Sequence, residues 1–283
     1  MNRFLYSLVL FIGIPFAIFR LLIKDTHDPS WTRKLKNQFG IVEKIPGRVI
    51  WTHCVSVGEF NASKPLIEKL MSQYPNHQII ISTTTITGFN AVNNYYKNNV
   101  KHCFFPFDIP FILDSFIRKI NPEICILLET EIWPNLIHIL KKKNIPTALI
   151  NARLSDKSFQ RYDKYSAKLV KVSLNNLSLI CVQSSFSSDR FISLGANQEK
   201  MITTGSLKFD SDNTIDDKSI KTLKKIIGER KITVFASTRE GEEKQIIKSY
   251  INSADNINSL LIIIPRHPER FNEVFKLAKA SGL

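Results

Sequence analysis

The chain has 283 residues, 43% of them hydrophobic and 23% charged, proportions that exclude a disordered polymer and fit a globular protein. Its formal charge of +14 points to an anionic partner (nucleic acid, a phosphorylated ligand or an anionic membrane face) or simply to a lysine-rich surface. Four cysteines without CxxC spacing and scattered histidines without an HxxxH or HExxH pair argue against a disulfide framework or a metal site, and buried free thiols are expected.

Residues 4–19 (FLYSLVLFIGIPFAIF) carry no charge; Arg20 interrupts and LLI follows. This is marginal against the roughly 20 apolar residues that a spanning helix needs. Arg20, Lys24, Arg33, Lys34 and Lys36 follow the segment, Arg3 alone precedes it, and no small-x-small cleavage site ends it. An uncleaved anchor with a cytoplasmic body is expected, with Pro15 kinking the helix or letting it lie in the interface. Apolar runs at 48–53, 78–84, 102–107, 123–129, 147–151 and 177–183 then read as strands buried on both faces. Amphipathic stretches near 61–73, 87–97, 110–119, 131–143 and 158–175 lie between them, and 201–205 adds a short strand. Such alternation predicts a doubly wound, mainly parallel α/β sheet. Residues 206–217 read as a linker. A second series follows, with strands at 231–238 and 260–266 and helices near 241–253 and from 268 onward. Two strands make an incomplete or degenerate α/β domain.

The chain holds no GxG, so it has neither a dinucleotide fingerprint nor a P-loop, and it lacks a GxSxG elbow. What remains are polar clusters at the C-terminal ends of strands, where open α/β sheets hold ligands. In HCVSVGEF (53–60), Gly58 would permit a tight turn and Glu59 would sit near the positive end of a helix dipole. Taken alone, that cluster reads as ordinary helix capping. In LLETEIWPNL (127–136) the buried charge of Glu129 needs a partner or a raised pKa, and Glu131 is expected to open the next helix. Paired carboxylates suit proton transfer at a sugar centre. Arg153, Lys208, Arg239 and Arg266 would project from strand or loop ends toward anionic groups, or act as surface ion-pair partners.

The ordered segments HCVSVGE, STTTITG, FFPFD, LLETEIWPNL, NARLSDKSF, GSLKFD, STREGEE and IPRHPERF resemble the 3-deoxy-D-manno-octulosonic acid (Kdo) transferases of lipid A assembly, and they span nearly the whole chain. The resemblance implies a GT-B glycosyltransferase: a membrane anchor at 1–24, an acceptor-binding α/β domain at 25–210 and the start of a CMP-Kdo-binding domain at 211–283. By motif it makes Glu59 the general base, lets Glu129 and Lys208 assist the transition state, and sets Pro265 and Arg266 against CMP. It places Ser56, Gly58, Arg153 and Arg239 on the acceptor side or in the cleft. It further implies no metal or cofactor, a lipid A precursor (lipid IVA) as acceptor, and a site on the cytoplasmic face of the anionic inner membrane. No basic–aromatic interleaving supports a nucleic-acid partner. Two departures stand out. Arg239 replaces a histidine typical of the family, and the glycine-rich nucleotide-gripping region has no counterpart, so the 283-residue polypeptide alone is expected to be inactive. The alternatives are an acceptor-binding remnant and a membrane glycosyltransferase using another nucleotide sugar.

Overall fold

The computed structural model describes residues 1–24, 29–210, 217–253 and 259–283. Its contacts divide the chain into two units, Met1–Asp212 and Asn213–Leu283. In the first, helices α1 (Arg3–Lys24) and α2 (Trp31–Gln38) precede seven strands. These are β1 (Arg48–His53), β2 (His77–Thr83), β3 (Lys101–Phe104), β4 (Pro122–Leu128), β5 (Thr147–Ala152), β6 (Leu179–Val182) and β7 (Met201–Thr203). All pair in parallel in the order β3-β2-β1-β4-β5-β6-β7. The order reverses between β1 and β4. Helices α3 (Val57–Gln73) and α4 (Ile86–Tyr96) therefore cover one face. Helices α5 (Pro110–Ile120), α6 (Pro134–Lys142), α7 (Asp156–Asn176) and α8 (Ser185–Ser193) cover the other.

Both faces are buried, which is why the strands are unbroken apolar runs. Val49, Trp51, Cys125 and Leu127 point into the core beneath α5 and α6, while Ile50, Ile126 and Leu128 point into the core beneath α3 and α4. Trp51 is fully buried; its ring packs on Phe105 and Phe116, and its Nε1 donates to Ser82 Oγ at 2.8 Å. That bond leaves the indole no unsatisfied polar atom. Cys54, Cys103 and Cys125 are buried free thiols, and Cys181 is half-buried.

Several elements depart from the expected boundaries. The strand expected at 102–107 ends at Phe104, because the Phe107 amide leaves the ladder and donates to the Gln38 carbonyl at 2.9 Å. Helices α2 and α8 were not anticipated: WTRKLKNQ lacks an apolar stripe, and SFSSDRFIS opens on serines without a helical pattern. Helix α2 works as an edge cover. Arg33 donates to the His102 carbonyl (2.7 Å) and Asn37 Oδ1 accepts from the Phe104 amide (3.0 Å), occupying groups that the outermost strand β3 would otherwise expose.

The N-terminal segment is helical, as expected. Among the described residues, no helix is long and apolar enough to cross a membrane. Helix α1 instead turns Arg3, Tyr6, Ser7, Leu10 and Ile14 toward the body and leaves Phe4, Leu8, Phe11, Ile12, Phe16 and Phe19 exposed. Its anchor is the buried Asp108, which accepts from Tyr6 Oη (2.9 Å) and from the amides of Asn135 (3.1 Å) and Leu136 (2.8 Å) at the start of α6. Ser7 and Asn135 complete the network at 2.9 Å.

The second unit contains α9 (Asp217–Ile227), β8 (Lys231–Thr238), α10 (Glu242–Ile251), β9 (Ser259–Pro265) and α11 (Phe271–Ala280), with β8 and β9 paired in parallel. Ile232, Val234, Phe235 and Ile264 of this two-stranded sheet are exposed. Part of the linker expected at 206–217 falls outside the described residues; Leu207–Phe209 form a 3-10 turn in the first unit.

Replacing Asp108 with alanine removes the acceptor from two buried amides. Chemical unfolding should register a loss of about 1–3 kcal/mol for each amide left unsatisfied. An unchanged midpoint would refute the role given to Asp108.

Candidate active site

The order reversal between β1 and β4 opens a crevice at the C-terminal ends of these two strands. The chain leaving β1 turns into α3 at Ser56, the N-cap, whose Oγ lies 3.5 Å from the Glu59 amide. The Glu59 side chain folds back, and its Oε2 accepts from the Val55 amide at 2.7 Å. This is a variant of the Ser-x-x-Glu capping box. The tight turn expected of Gly58 is not there. The residue lies inside the first turn of α3 without positive φ, and an added Cβ would meet only ordinary contact with Ser56, so no tight turn requires glycine there.

Across the crevice Glu129 follows the last residue of β4 and adopts the left-handed conformation (φ 58°), a strain of about 1–3 kcal/mol in a non-glycine residue. Its amide donates to the Ile150 carbonyl (2.9 Å), and its Oε2 accepts from Arg153 Nε and Nη2, both at 2.8 Å. Glu129 thus has the partner its position demanded. Glu131 does not open the next helix, because α6 begins at Pro134 with Trp133 as its N-cap. Its Oε2 instead accepts from Trp133 Nε1 at 2.6 Å and lies 3.8 Å from His53 Nε2.

His53, at the end of β1, is fully buried and stacks on Phe105 at 3.9 Å between ring centroids. Its Nδ1 lies 3.1 Å from the Ser82 carbonyl and 3.0 Å from the Ser82 hydroxyl, and its Nε2 is the ring nitrogen that faces Glu131. Burial pushes the imidazole down to about 3, and the ring stays neutral. Neither His53 nor Glu131 was singled out as a site residue from the sequence. The second glutamate of LLETE was the available signal, but its assignment to a helix start concealed it.

The carboxylates are strongly perturbed. Burial raises Glu59 from its ordinary 4.5 to about 7, with the Glu129 charge adding to the shift and the Val55 amide, Ser56 and Arg153 opposing it. Burial, then the charges of Glu59 and Glu129, raises Glu131 to about 7 as well, against the bond from Trp133. The crevice therefore holds three carboxylates and one paired guanidinium, and two of those carboxylates titrate near neutrality.

The expected Lys208 is brought to the same side of the sheet. Asn151, in a left-handed bulge of β5 (φ 52°), accepts the Leu207 amide on its Oδ1 at 3.1 Å. Leu207 packs on the core beneath α3, and the turn carrying Lys208 contacts that helix.

The sequence model described as 3-deoxy-D-manno-octulosonic-acid transferase (kdotransferase) matches residues 33–211. The chain belongs to this family. It is 38% identical over 288 aligned residues to the 3-deoxy-D-manno-octulosonic acid transferase of Haemophilus influenzae, an alignment covering 99% of this chain and 66% of that protein. It is 35% identical to a bifunctional glycosyltransferase/methyltransferase of Fusobacterium nucleatum, covering 95% of this chain and 42% of that one. A probable mitochondrial 3-deoxy-D-manno-octulosonic acid transferase of Arabidopsis thaliana is 32% identical over 90% of this chain and 58% of its own length. The chain thus spans about two thirds or less of these curated relatives. Among solved structures, UDP-GlcNAc 2-epimerase from Neisseria meningitidis aligns with a TM-score of 0.57 at 13% identity, over 82% of this chain and 69% of that one. That likeness concerns the fold alone.

The other residues singled out from Kdo-transferase motifs lie in the second unit, again at strand ends. Ser237, in a left-handed bulge of β8 (φ 65°), lies 3.5 Å through Oγ from Arg266 Nη1, and the Arg266 amide donates to the Thr238 carbonyl at 3.0 Å. Pro265 is buried at the end of β9, and the Arg239 amide donates to Glu242 Oε2 at 2.7 Å.

The titration of Glu59 and Glu131 has a direct consequence for stability. Their folded pKa values lie above the unfolded ones, so the stabilisation is complete below pH 4.5 and is lost as pH rises through about 7. Melting temperature should decline over that window, and Glu131→Gln should flatten the decline. An identical pH profile in the variant would refute the raised pKa.

Proposed function

We propose that this chain carries the acceptor-binding half, and the beginning of the donor-binding half, of an enzyme that transfers Kdo from CMP-Kdo to a lipid A precursor. The observation that carries this reading is Glu59 at the β1/β4 crevice, in a chain of the Kdo-transferase family, with a carboxyl pushed up to about 7. A base with that pKa is matched to neutral pH far better than an ordinary glutamate. The Glu59 carboxylate takes the proton of an acceptor hydroxyl as its oxygen bonds to the anomeric carbon of Kdo. The bond from that carbon to the CMP phosphate oxygen breaks, and CMP leaves with the electron pair. Glu129, held by Arg153, and the ammonium of Lys208 assist by fixing charge around the reacting centre. Pro265 and Arg266 contact CMP. Ser56 holds the loop bearing the base, and the reaction needs no metal or further cofactor.

The same reading puts the protein on the cytoplasmic face of the inner membrane. It is supported by the exposed apolar face of α1 and by the basic residues that follow it in the sequence. A second reading, an acceptor-binding fragment without turnover, is favoured by the apolar side chains exposed on β8 and β9, because an isolated two-stranded sheet is marginal in water.

Purified chain should be assayed with CMP-Kdo, with UDP-sugars as competing donors, on lipid IVA. Transfer from CMP-Kdo that falls by about 10²–10⁴-fold in Glu59→Gln, and that rises in the wild type as pH passes through about 7, is the expected result. Lipid IVA binding without transfer would establish the second reading. Transfer from a UDP-sugar, or no binding of lipid IVA, would overturn both.

A further inference from the structure

A second feature of the first unit lies outside the transfer chemistry. Between α1 and the C-terminal edge of the sheet is a cavity of about 450 Å³, within the range of about 300–1,000 Å³ usual for small-ligand sites. Its walls are apolar: Val9, Gly13 and Ile14 of α1 on one side, Phe105, Phe107 and Trp133 on the other. Val9 and Gly13 are themselves exposed, so the cavity is open along that flank of α1, whose outer surface is the apolar face of Phe4, Leu8, Phe11, Ile12 and Phe16. Asp108 also lines the cavity, its carboxylate already accepting from Tyr6, Asn135 and Leu136, and two further polar atoms there have no partner. Gln38 is more than nine-tenths buried with its Oε1 lacking a hydrogen bond, and Thr84 Oγ1 is likewise buried without one. Leaving such atoms unmatched costs about 1–3 kcal/mol each, which a bound ligand would recover.

The cavity adjoins the carboxylate site through two short routes. Phe105 stacks on His53, and Trp133, whose ring lies 5.1 Å from that of Phe105, donates to Glu131. The Thr84 amide donates to the Val55 carbonyl (3.2 Å), and the Val55 amide donates to Glu59 (2.7 Å). A molecule lying in the cavity therefore has its polar end beside the residues that hold the proposed base.

We infer that this cavity receives one amide-linked acyl chain of the lipid acceptor. The inference rests on the acceptor reading given above. The chain enters from the lipid side of α1, its methylenes lie against Val9, Ile14, Phe105 and Trp133, and its linkage is held by Gln38 and Thr84. An amide suits both groups, because its N–H supplies the donor that Gln38 Oε1 lacks and its carbonyl accepts from the Thr84 hydroxyl. The acyl slot fixes the sugar hydroxyl relative to Glu59 and distinguishes an acylated from a bare aminosugar phosphate.

Gly13 provides the test. Nothing lies within 4 Å of the position a Cβ would take there, so Gly13→Leu fills the cavity without a backbone clash, and leucine favours a helix more than glycine does. Binding should be measured by calorimetry on the full chain with three probes: N-octanoyl-glucosamine 1-phosphate, glucosamine 1-phosphate, and dioctanoyl phosphatidylglycerol as a bulk-lipid control. The wild type should bind the N-octanoyl sugar at least about tenfold more tightly than the bare sugar, and Gly13→Leu should lose that margin. Gly13→Ala, which adds little volume, should keep most of it, and an unchanged melting temperature shows that both variants fold. Equal binding of the acylated and bare sugars would overturn the acyl slot while leaving the acceptor reading intact. Equal or tighter binding of phosphatidylglycerol would assign the cavity to bulk lipid and overturn the inference. Failure of the wild type to bind either sugar would overturn the acceptor reading itself.

Discussion

The side-by-side pairing of β1 with β4 is the constraint on which the rest of the first unit depends. Right-handed crossovers that run outward from this pair in both directions must put α3 and α6 on opposite faces of the sheet. No crossover then closes over the ends of these two strands, and a crevice remains that is reachable from solvent but walled by protein. The chain places a glutamate after each strand. Their proximity follows from the parallel register, which sets His53 opposite Leu127 so that both strands reach the crevice at the same level.

Glu59 caps helix α3 and, in the proposed reaction, is also the base. A carboxylate that merely capped α3 would be stabilised in its charged form by the helix dipole and by the Val55 amide, and its pKa would fall. It rises instead, to about 7, so burial and the neighbouring Glu129 charge outweigh the capping bonds. Arg153 is paired with Glu129, and its charge is the smallest of the influences that pull the Glu59 pKa back down.

Helix α1 is held by a different kind of force. Its contact with the body centres on Asp108, which satisfies the first amides of α6 and the Tyr6 hydroxyl at once. A polar anchor of this sort fixes the rotation of the helix about its axis. Rotation in turn decides which apolar residues face outward and which line the cavity beside Trp133.

Much of this was legible in the sequence. Unbroken apolar runs such as EICILLE reported strands buried on both faces, because only a sheet covered by helices on each side removes the need for alternation. Glu59, Glu129, Arg153 and Lys208 were marked by ordered motifs at strand ends. Residues whose role depends on distant partners were not legible. Helix α2 has no apolar stripe because it satisfies the backbone of β3 rather than a hydrophobic face. His53 read as strand, Glu131 as a helix start and Gly58 as a turn, since local spacing cannot report a stacking ring, a neighbouring indole or a sign of φ. The amino-acid sequence alone determined the parallel α/β class, the family and the carboxylates available for chemistry, because periodicity and motif order are local properties. Only the tertiary structure decided which carboxylates share a buried crevice, and therefore which of them has a pKa near neutrality, because desolvation and charge coupling depend on through-space distance and not on position along the chain.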